Sequence, residues 1–224
     1  MDKNWLSAFD TFIFDMDGLL VNSEDVYLLG WKRALMKFDL PFEERTLVSW
    51  NGKSALDCKR SILDMFQDPD LYEKLYAVRE AFIYDSLENG DLHLLPYVQE
   101  VLVQLKKKNK KVVLATSCRR KRAMAILEKM GILAFFDGII TADDVENVKP
   151  FPDVYEKALE SANASKKETL VLEDSSTGVI AAQNAGLEVV QVIAEDRIDA
   201  RIGKIVKRYL SFLIMNEESE EKER

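Results

Sequence analysis

The chain has 224 residues, enough for one large domain or for a core with a smaller appendage. Its apolar content of 47% is that of a globular protein, and no window is apolar over the ~18 residues of a membrane span. A net charge of −8 argues against a general affinity for nucleic acid or anionic membranes, and means that an anionic substrate would need a local cluster of positive groups or a metal.

The two cysteines, Cys58 and Cys118, are far apart and in no metal-binding spacing, which reads as reduced thiols in a cytoplasmic protein rather than a disulfide. Met1 to Asn4 is polar and leads straight into the first strand, so no signal peptide is expected. A monomer is expected.

Phe9 to Phe14 is β-branched and aromatic, the pattern of a strand buried on both faces. From Ser23 the character is helical, with segments at Ser23 to Phe38, Glu43 to Trp50, Ser54 to Gln67 and Asp70 to Leu87. Asn22-Ser23 offers an N-cap, and Pro41 and Asp68-Pro69 break the run. Tyr27, Leu28, Trp31, Leu35 and Phe38 recur at helical spacing as a bundle core. Glu88 to Asp91 is a turn-rich break, followed by a helix from Tyr97 to Lys108. The lysine-rich run from Lys106 to Lys111 reads as a solvated helix end.

Strands and helices then alternate. Strands are expected at Lys111 to Ala115, Gly138 to Thr141, Thr169 to Leu172 and Glu188 to Ile193. Helices are expected at Arg119 to Met130, Asp153 to Ala162 and Thr177 to Ala185. Tyr209 to Met215 adds a short element, and the charged residues 216–224 read as a disordered tail. The alternation implies an α/β fold with a parallel sheet and right-handed crossovers. The predicted layout is a Rossmann-like core of residues 1–20 and 90–224, with a helical module at 21–89 inserted after the first strand. That insertion point is placed to make the module a lid.

Four strand ends carry polar residues that a buried strand has no structural reason to hold. The first strand runs into Asp15-Met16-Asp17-Gly18. Its two acids project to one side while the backbone stays extended, at the sheet edge where open α/β folds bind ligands. Two acids with no basic neighbour are best explained by a cation, and hard oxygen ligands suit Mg²⁺, which usually brings a phosphate with it. The second strand ends in Thr116-Ser117 before a helix, either an N-cap or an anion site. The arginines that follow, Arg119, Arg120 and Arg122, read as an exposed helix face. Lys149 follows the third strand in a loop stiffened by Pro150 and Pro152, where it could place one positive charge on a phosphate and between carboxylates. The fourth strand ends in Glu173-Asp174-Ser175, a second acid pair that completes a metal site.

This set resembles the haloacid dehalogenase superfamily of phosphotransferases. The match is carried by Asp15-Met16-Asp17-Gly18, Thr116-Ser117, Lys149 with Pro150 and Asp153, and Glu173-Asp174-Ser175 running on to Gly178, Ala181, Ala182, Ala185 and Gly186. The helical insertion is similar to the cap of the β-phosphoglucomutase-like branch. The resemblance implies that Asp15 is the nucleophile, forming an aspartyl-phosphate, and that Asp17 is the general acid and base. It implies Mg²⁺ held by Asp15, the Asp17 backbone carbonyl and Asp174, with Glu173 direct or through water. Thr116, the Ser117 N–H and Lys149 would hold the phosphate. Lys53, in Asn51-Gly52-Lys53-Ser54, resembles a cap residue that reaches the substrate, and is otherwise a helix-start lysine in solvent. The implied activity is hydrolysis of a small phosphorylated metabolite, foremost a sugar phosphate. A phosphomutase is the alternative. Mutases of the branch carry a histidine on the first cap helix. Here Tyr27 stands nearest that place, and the one histidine, His93, lies beyond the cap.

Overall fold

The computed structural model describes residues 5–50, 55–193, 206–208 and 210–213. Lys53 and the charged tail at 216–224 lie outside the described residues. The chain divides into two compact units, Met1–Val21 with Leu94–Arg224, and Asn22–His93. The inserted unit therefore ends at His93 rather than at residue 89. Leu92 is buried and folds back to donate its N–H to the Ser86 carbonyl. His93 is paired at both backbone groups with Asn22: its N–H donates to Asn22 Oδ1 (2.7 Å) and its carbonyl accepts from Asn22 N (3.2 Å). The Asn22 side chain is thus spent on holding the returning chain and does not cap the helix that follows.

The larger unit is built on one sheet. Its strands are β1 (Thr11–Phe14), β2 (Lys111–Ala115), β3 (Gly138–Ile140), β4 (Thr169–Glu173), β5 (Glu188–Ile193) and β6 (Val206–Arg208). All pairings are parallel, in the order β3-β2-β1-β4-β5-β6. This confirms the Rossmann-like α/β expectation, and adds β6, which the sequence reading passes over. The 3₁₀ turn Leu210–Leu213 falls within the short element expected at Tyr209 to Met215.

Every residue of β1 is buried, because β1 is the central strand and both faces are covered. On one face Ile13, Val113 and Val171 pack with Tyr155, Ala158 and Leu159 of the helix Asp153–Ala162, and with Val179 and Ala182 of the helix Ser176–Asn184. Fully burying an aliphatic side chain such as Ile13 contributes roughly 1.5–3 kcal/mol. The sheet reverses direction of growth at β1, with β2 on one side and β4 on the other, so its ligand crevice lies at the carboxyl ends of these strands.

The smaller unit contains the helices Ser23–Lys37, Glu44–Val48, Ala55–Phe66 and Leu71–Asn89. Trp31 and Trp50 meet edge to face at 5.3 Å, over Leu35, Ile62 and Leu75. Phe38 departs from the expected stripe: it caps the end of its helix and is exposed.

The turn after β3 is fixed by one carboxylate. Asp144 Oδ2 accepts from the N–H of Thr141 (2.8 Å), its hydroxyl (2.6 Å) and Arg120 Nη2 (2.6 Å). Burial works against ionisation, but the hydrogen bonds from Thr141 and Arg120 outweigh it and hold the carboxyl below its ordinary value. A depressed value in the folded state stabilises the protein above the unfolded value and is lost as pH falls through the folded one. We expect Asp144→Asn to be less stable by about 1 kcal/mol near neutrality. The gap should narrow as pH drops below the ordinary carboxylate value of 3.8, as measured by urea titrations at neutral and acid pH.

Candidate active site at the sheet switch point

Strand register brings the predicted residues together. Phe14 is level with Leu114 on one side and Leu172 on the other, so Asp15 stands beside Ala115-Thr116 and Glu173-Asp174. The Asp15 N–H still donates to the Leu172 carbonyl (3.0 Å), which extends the ladder one residue past β1. Met16 is fully buried between the two acids, and Gly18 then turns the chain at a φ of 77°. Asp17 is half-buried.

Lys149 comes in from the loop after β3 and is itself buried. Its Nζ donates to Asp15 Oδ1 (2.5 Å), Glu173 Oε1 (2.6 Å) and the Ala115 carbonyl (2.9 Å). An ammonium has three donors, and these three acceptors use them all. The lysine therefore lies between the two carboxylates, as expected, but in this arrangement it has no donor left for a phosphate. Its loop is tied down by Asn184 Nδ2, which donates to the Pro150 carbonyl (3.1 Å).

Glu173 is completely buried, and its carboxylate is saturated. Oε1 accepts from Lys149 and from the Tyr155 hydroxyl (2.9 Å), and Oε2 accepts from the Ser175 N–H and hydroxyl (both 3.0 Å). Ser175 Oγ in turn caps the next helix by accepting from Gly178 N–H (3.0 Å). The carboxylate lies directly against that helix at Gly178, where a Cβ would overlap it. Tyr155 was not foreseen from sequence. At helical spacing with Val154, Ala158 and Leu159 it looks like core, and only the fold puts its hydroxyl on an acid.

These contacts divide the charge. Burial would lower Lys149, but Asp15 and Glu173 outweigh it and hold the ammonium charged. Burial would raise Glu173, but Lys149 and the hydrogen bonds hold it low. Asp15 is the remaining acid: burial pushes it up to about 8, with Lys149 opposing and the Glu173 and Asp17 charges adding to the rise.

Asp15, Glu173 and Asp174 each present one oxygen within 4.8 Å of the others. With all three acids ionised, they and Lys149 would sum to −2, a balance that a divalent cation neutralises, and the donors are the hard oxygens such a cation takes. The fit is strongest for Asp15 and for the half-buried Asp174. The Asp174 backbone is held by Gln191 Nε2, which donates to its carbonyl (2.9 Å). Glu173 has its four acceptor positions filled, which suits holding Lys149 better than ligating a metal.

Thr116 and Ser117 lie in the turn before the helix Arg120–Lys129, not at its first residues. The N–H of Arg120, the first residue of that helix, is taken by Asp143 Oδ2 (2.8 Å). Thr116 is buried, and its oxygen accepts from Cys118 N–H (3.0 Å), which leaves the hydroxyl proton as a donor. Ser117 is exposed.

The model of the haloacid dehalogenase-like hydrolase family matches residues 12–192. The chain belongs to this family. It is 28% identical over 195 residues to a phosphorylated carbohydrates phosphatase of Thermotoga maritima, spanning 86% of this chain and 88% of that one. It is 30% identical over 188 residues to the pyrophosphatase PpaX of Halalkalibacterium halodurans, spanning 82% and 83%. In fold it matches the crystal structure of a β-phosphoglucomutase from Clostridium difficile at a TM-score of 0.77 and 22% identity, over 96% of this chain and 98% of that one. This family member is thus a hydrolase whose structural neighbours include β-phosphoglucomutase-like enzymes. No helix among the described residues is long and apolar enough to cross a membrane.

Gly178→Ala should drive a methyl into the Glu173 carboxylate. Overpacking of this kind destabilises by about 1–3 kcal/mol, so we expect a melting temperature about 2–10 °C lower by calorimetry.

Proposed function

We propose that the protein is a Mg²⁺-dependent phosphatase of small phosphomonoesters, sugar phosphates foremost, acting through an aspartyl-phosphate on Asp15. The observation that carries this reading is the arrangement of Asp15 itself. One oxygen is pinned by Lys149, the other accepts no hydrogen bond among the described residues, and Asp174 presents a further acid within reach of a shared cation. The activities named for the two relatives above support the substrate class.

Asp15 Oδ2 attacks phosphorus while Lys149 holds Oδ1 and keeps the side chain from turning. Asp17 donates a proton to the leaving alcohol, then takes one from the attacking water. The Thr116 hydroxyl and the Ser117 N–H hold phosphoryl oxygens. Each unit pair of like charges at ~4 Å costs on the order of 4 kcal/mol at an effective dielectric of about 20. Asp15, Asp174 and the Asp17 carbonyl would hold Mg²⁺, which would supply the positive charge that offsets this repulsion. Glu173 serves by fixing Lys149, and Lys53 remains a proposed substrate contact.

The mutase alternative is disfavoured at Tyr27. The Arg79 guanidinium lies 4.4 Å from its ring centroid, so the ring is engaged in packing and carries no imidazole to move a proton.

Asp15→Asn should lower Mg²⁺-dependent hydrolysis of p-nitrophenyl phosphate by more than about a thousandfold with the fold intact by circular dichroism. Near-normal turnover in that variant removes Asp15 from the nucleophile role. Treatment with EDTA should abolish turnover and added Mg²⁺ restore it; full activity after chelation sinks the metal assignment. A panel of sugar phosphates and pyrophosphate, followed by ³¹P NMR, names the substrate. Isomerisation stimulated by a sugar bisphosphate, with little free phosphate released, replaces the phosphatase with the mutase.

A further inference from the structure

Lys149 is surrounded by more than its three acceptors. The Tyr155 ring lies under the ammonium, with Nζ 4.9 Å from its centroid. The same residue's hydroxyl donates to Glu173 Oε1, the oxygen that Lys149 reaches at 2.6 Å. Tyr155 is completely buried, so neither contact is diluted by water. It sits on the third residue of the helix Asp153–Ala162, six residues after Lys149, and its ring is packed among Ile13, Val113 and Ala158.

We propose that Tyr155 is a positioning residue for this enzyme's nucleophile: it divides the Lys149 ammonium between Glu173 and Asp15 by occupying Glu173 Oε1 with its hydroxyl while its ring supports the ammonium from below. The proposal deepens the reading of Asp15 as nucleophile and rests on it.

The reasoning is one of competition. Lys149 bridges two carboxylates, and its position between them follows the charge density each offers. A hydroxyl donating to Glu173 draws charge toward itself and weakens that oxygen's hold on the lysine. The Tyr155 hydroxyl thereby favours the Lys149–Asp15 contact, which holds Oδ1 and leaves Oδ2 in line. Without the hydroxyl, Glu173 Oε1 has Lys149 as its only partner among these residues, and the ammonium shifts toward it. Asp15 then loses the contact that fixes its rotamer. The ring contributes separately, since a cation over an aromatic face is attracted to it. Phenylalanine keeps that contribution and leucine removes it. A residue that only fills the core would show neither distinction.

Tyr155→Phe and Tyr155→Leu are assayed beside wild type and Asp15→Asn with p-nitrophenyl phosphate at saturating Mg²⁺. Tyr155→Phe should lower kcat about tenfold with KM within about twofold, and Tyr155→Leu should lower kcat further. In a Glu173→Gln background, the Tyr155→Phe effect should shrink to less than about twofold, because the two residues act as one unit. Wild-type kcat in Tyr155→Phe, a change confined to KM, or an undiminished effect in the Glu173→Gln background overturns the proposal. Should Tyr155→Phe fail to fold, 3-fluorotyrosine at position 155 is read in its place. It keeps the shape and strengthens the O–H donor, and an unchanged kcat there also overturns the proposal. An active Asp15→Asn variant, or an inactive wild type, removes the nucleophile reading and this inference with it. A dead Asp15→Asn beside an unaffected Tyr155→Phe removes the inference alone.

Discussion

One buried ammonium holds the carboxyl edge of this sheet together. Lys149 joins the end of β1 at Asp15, the end of β2 at the Ala115 carbonyl and the end of β4 at Glu173. Without it, two acids this deeply buried, on neighbouring strands, would have no compensating positive charge among these contacts. Removing one partner from such a buried ion pair typically destabilises by about 3–5 kcal/mol, because the other charge is left without compensation. The sheet order is what makes the contact available. With β2 and β4 on either side of β1, three strand ends lie within reach of one side chain.

Around this ion pair most side chains serve to hold one another in place. Glu173 is held by Tyr155 and Ser175, and Gly178 is the residue that lets its carboxylate lie against the next helix. Asp174 has its backbone anchored by Gln191. Among the described residues, Asp15 Oδ2 accepts no hydrogen bond and the Thr116 hydroxyl keeps its proton to donate. A site that works by placing charge rather than by redox or radical chemistry needs this kind of anchoring. Glu173, at the centre of these contacts, is satisfied at both oxygens.

Much of this was legible from the chain because a buried strand that ends in acids has no packing reason to do so. Thr11 to Phe14 running into Asp15, and Thr169 to Leu172 running into Glu173-Asp174, announced both the sheet and its functional edge. What stayed hidden depends on partners far apart in sequence. Tyr155 reads as a helix core residue until the fold places it beside Glu173, 18 residues on. Nothing in the sequence marks Asp143 as the acceptor for the N–H of Arg120, 23 residues away. Asn22 reads as a helix cap until His93, 71 residues later, claims its side chain. The strand Val206–Arg208 was missed for a different reason. It is three residues long, at a sheet edge, and two of the three are basic, so it shows no apolar run.

The opposite behaviour of the two carboxylates on Lys149 follows from this geometry. Glu173 has four donors, none of which can leave without losing a buried hydrogen bond, so it keeps its charge. Asp15 has one, shared with its rival, and is pushed up to about 8 by its burial. Lys149 and Glu173 already form a neutral pair, so ionising Asp15 would leave the site with a surplus negative charge. A carboxylate in that position is poorly solvated and weakly satisfied. It gains from any positive charge brought close to it. The burial that makes Asp15 costly to ionise is therefore also what makes a positive charge beside it strongly favourable.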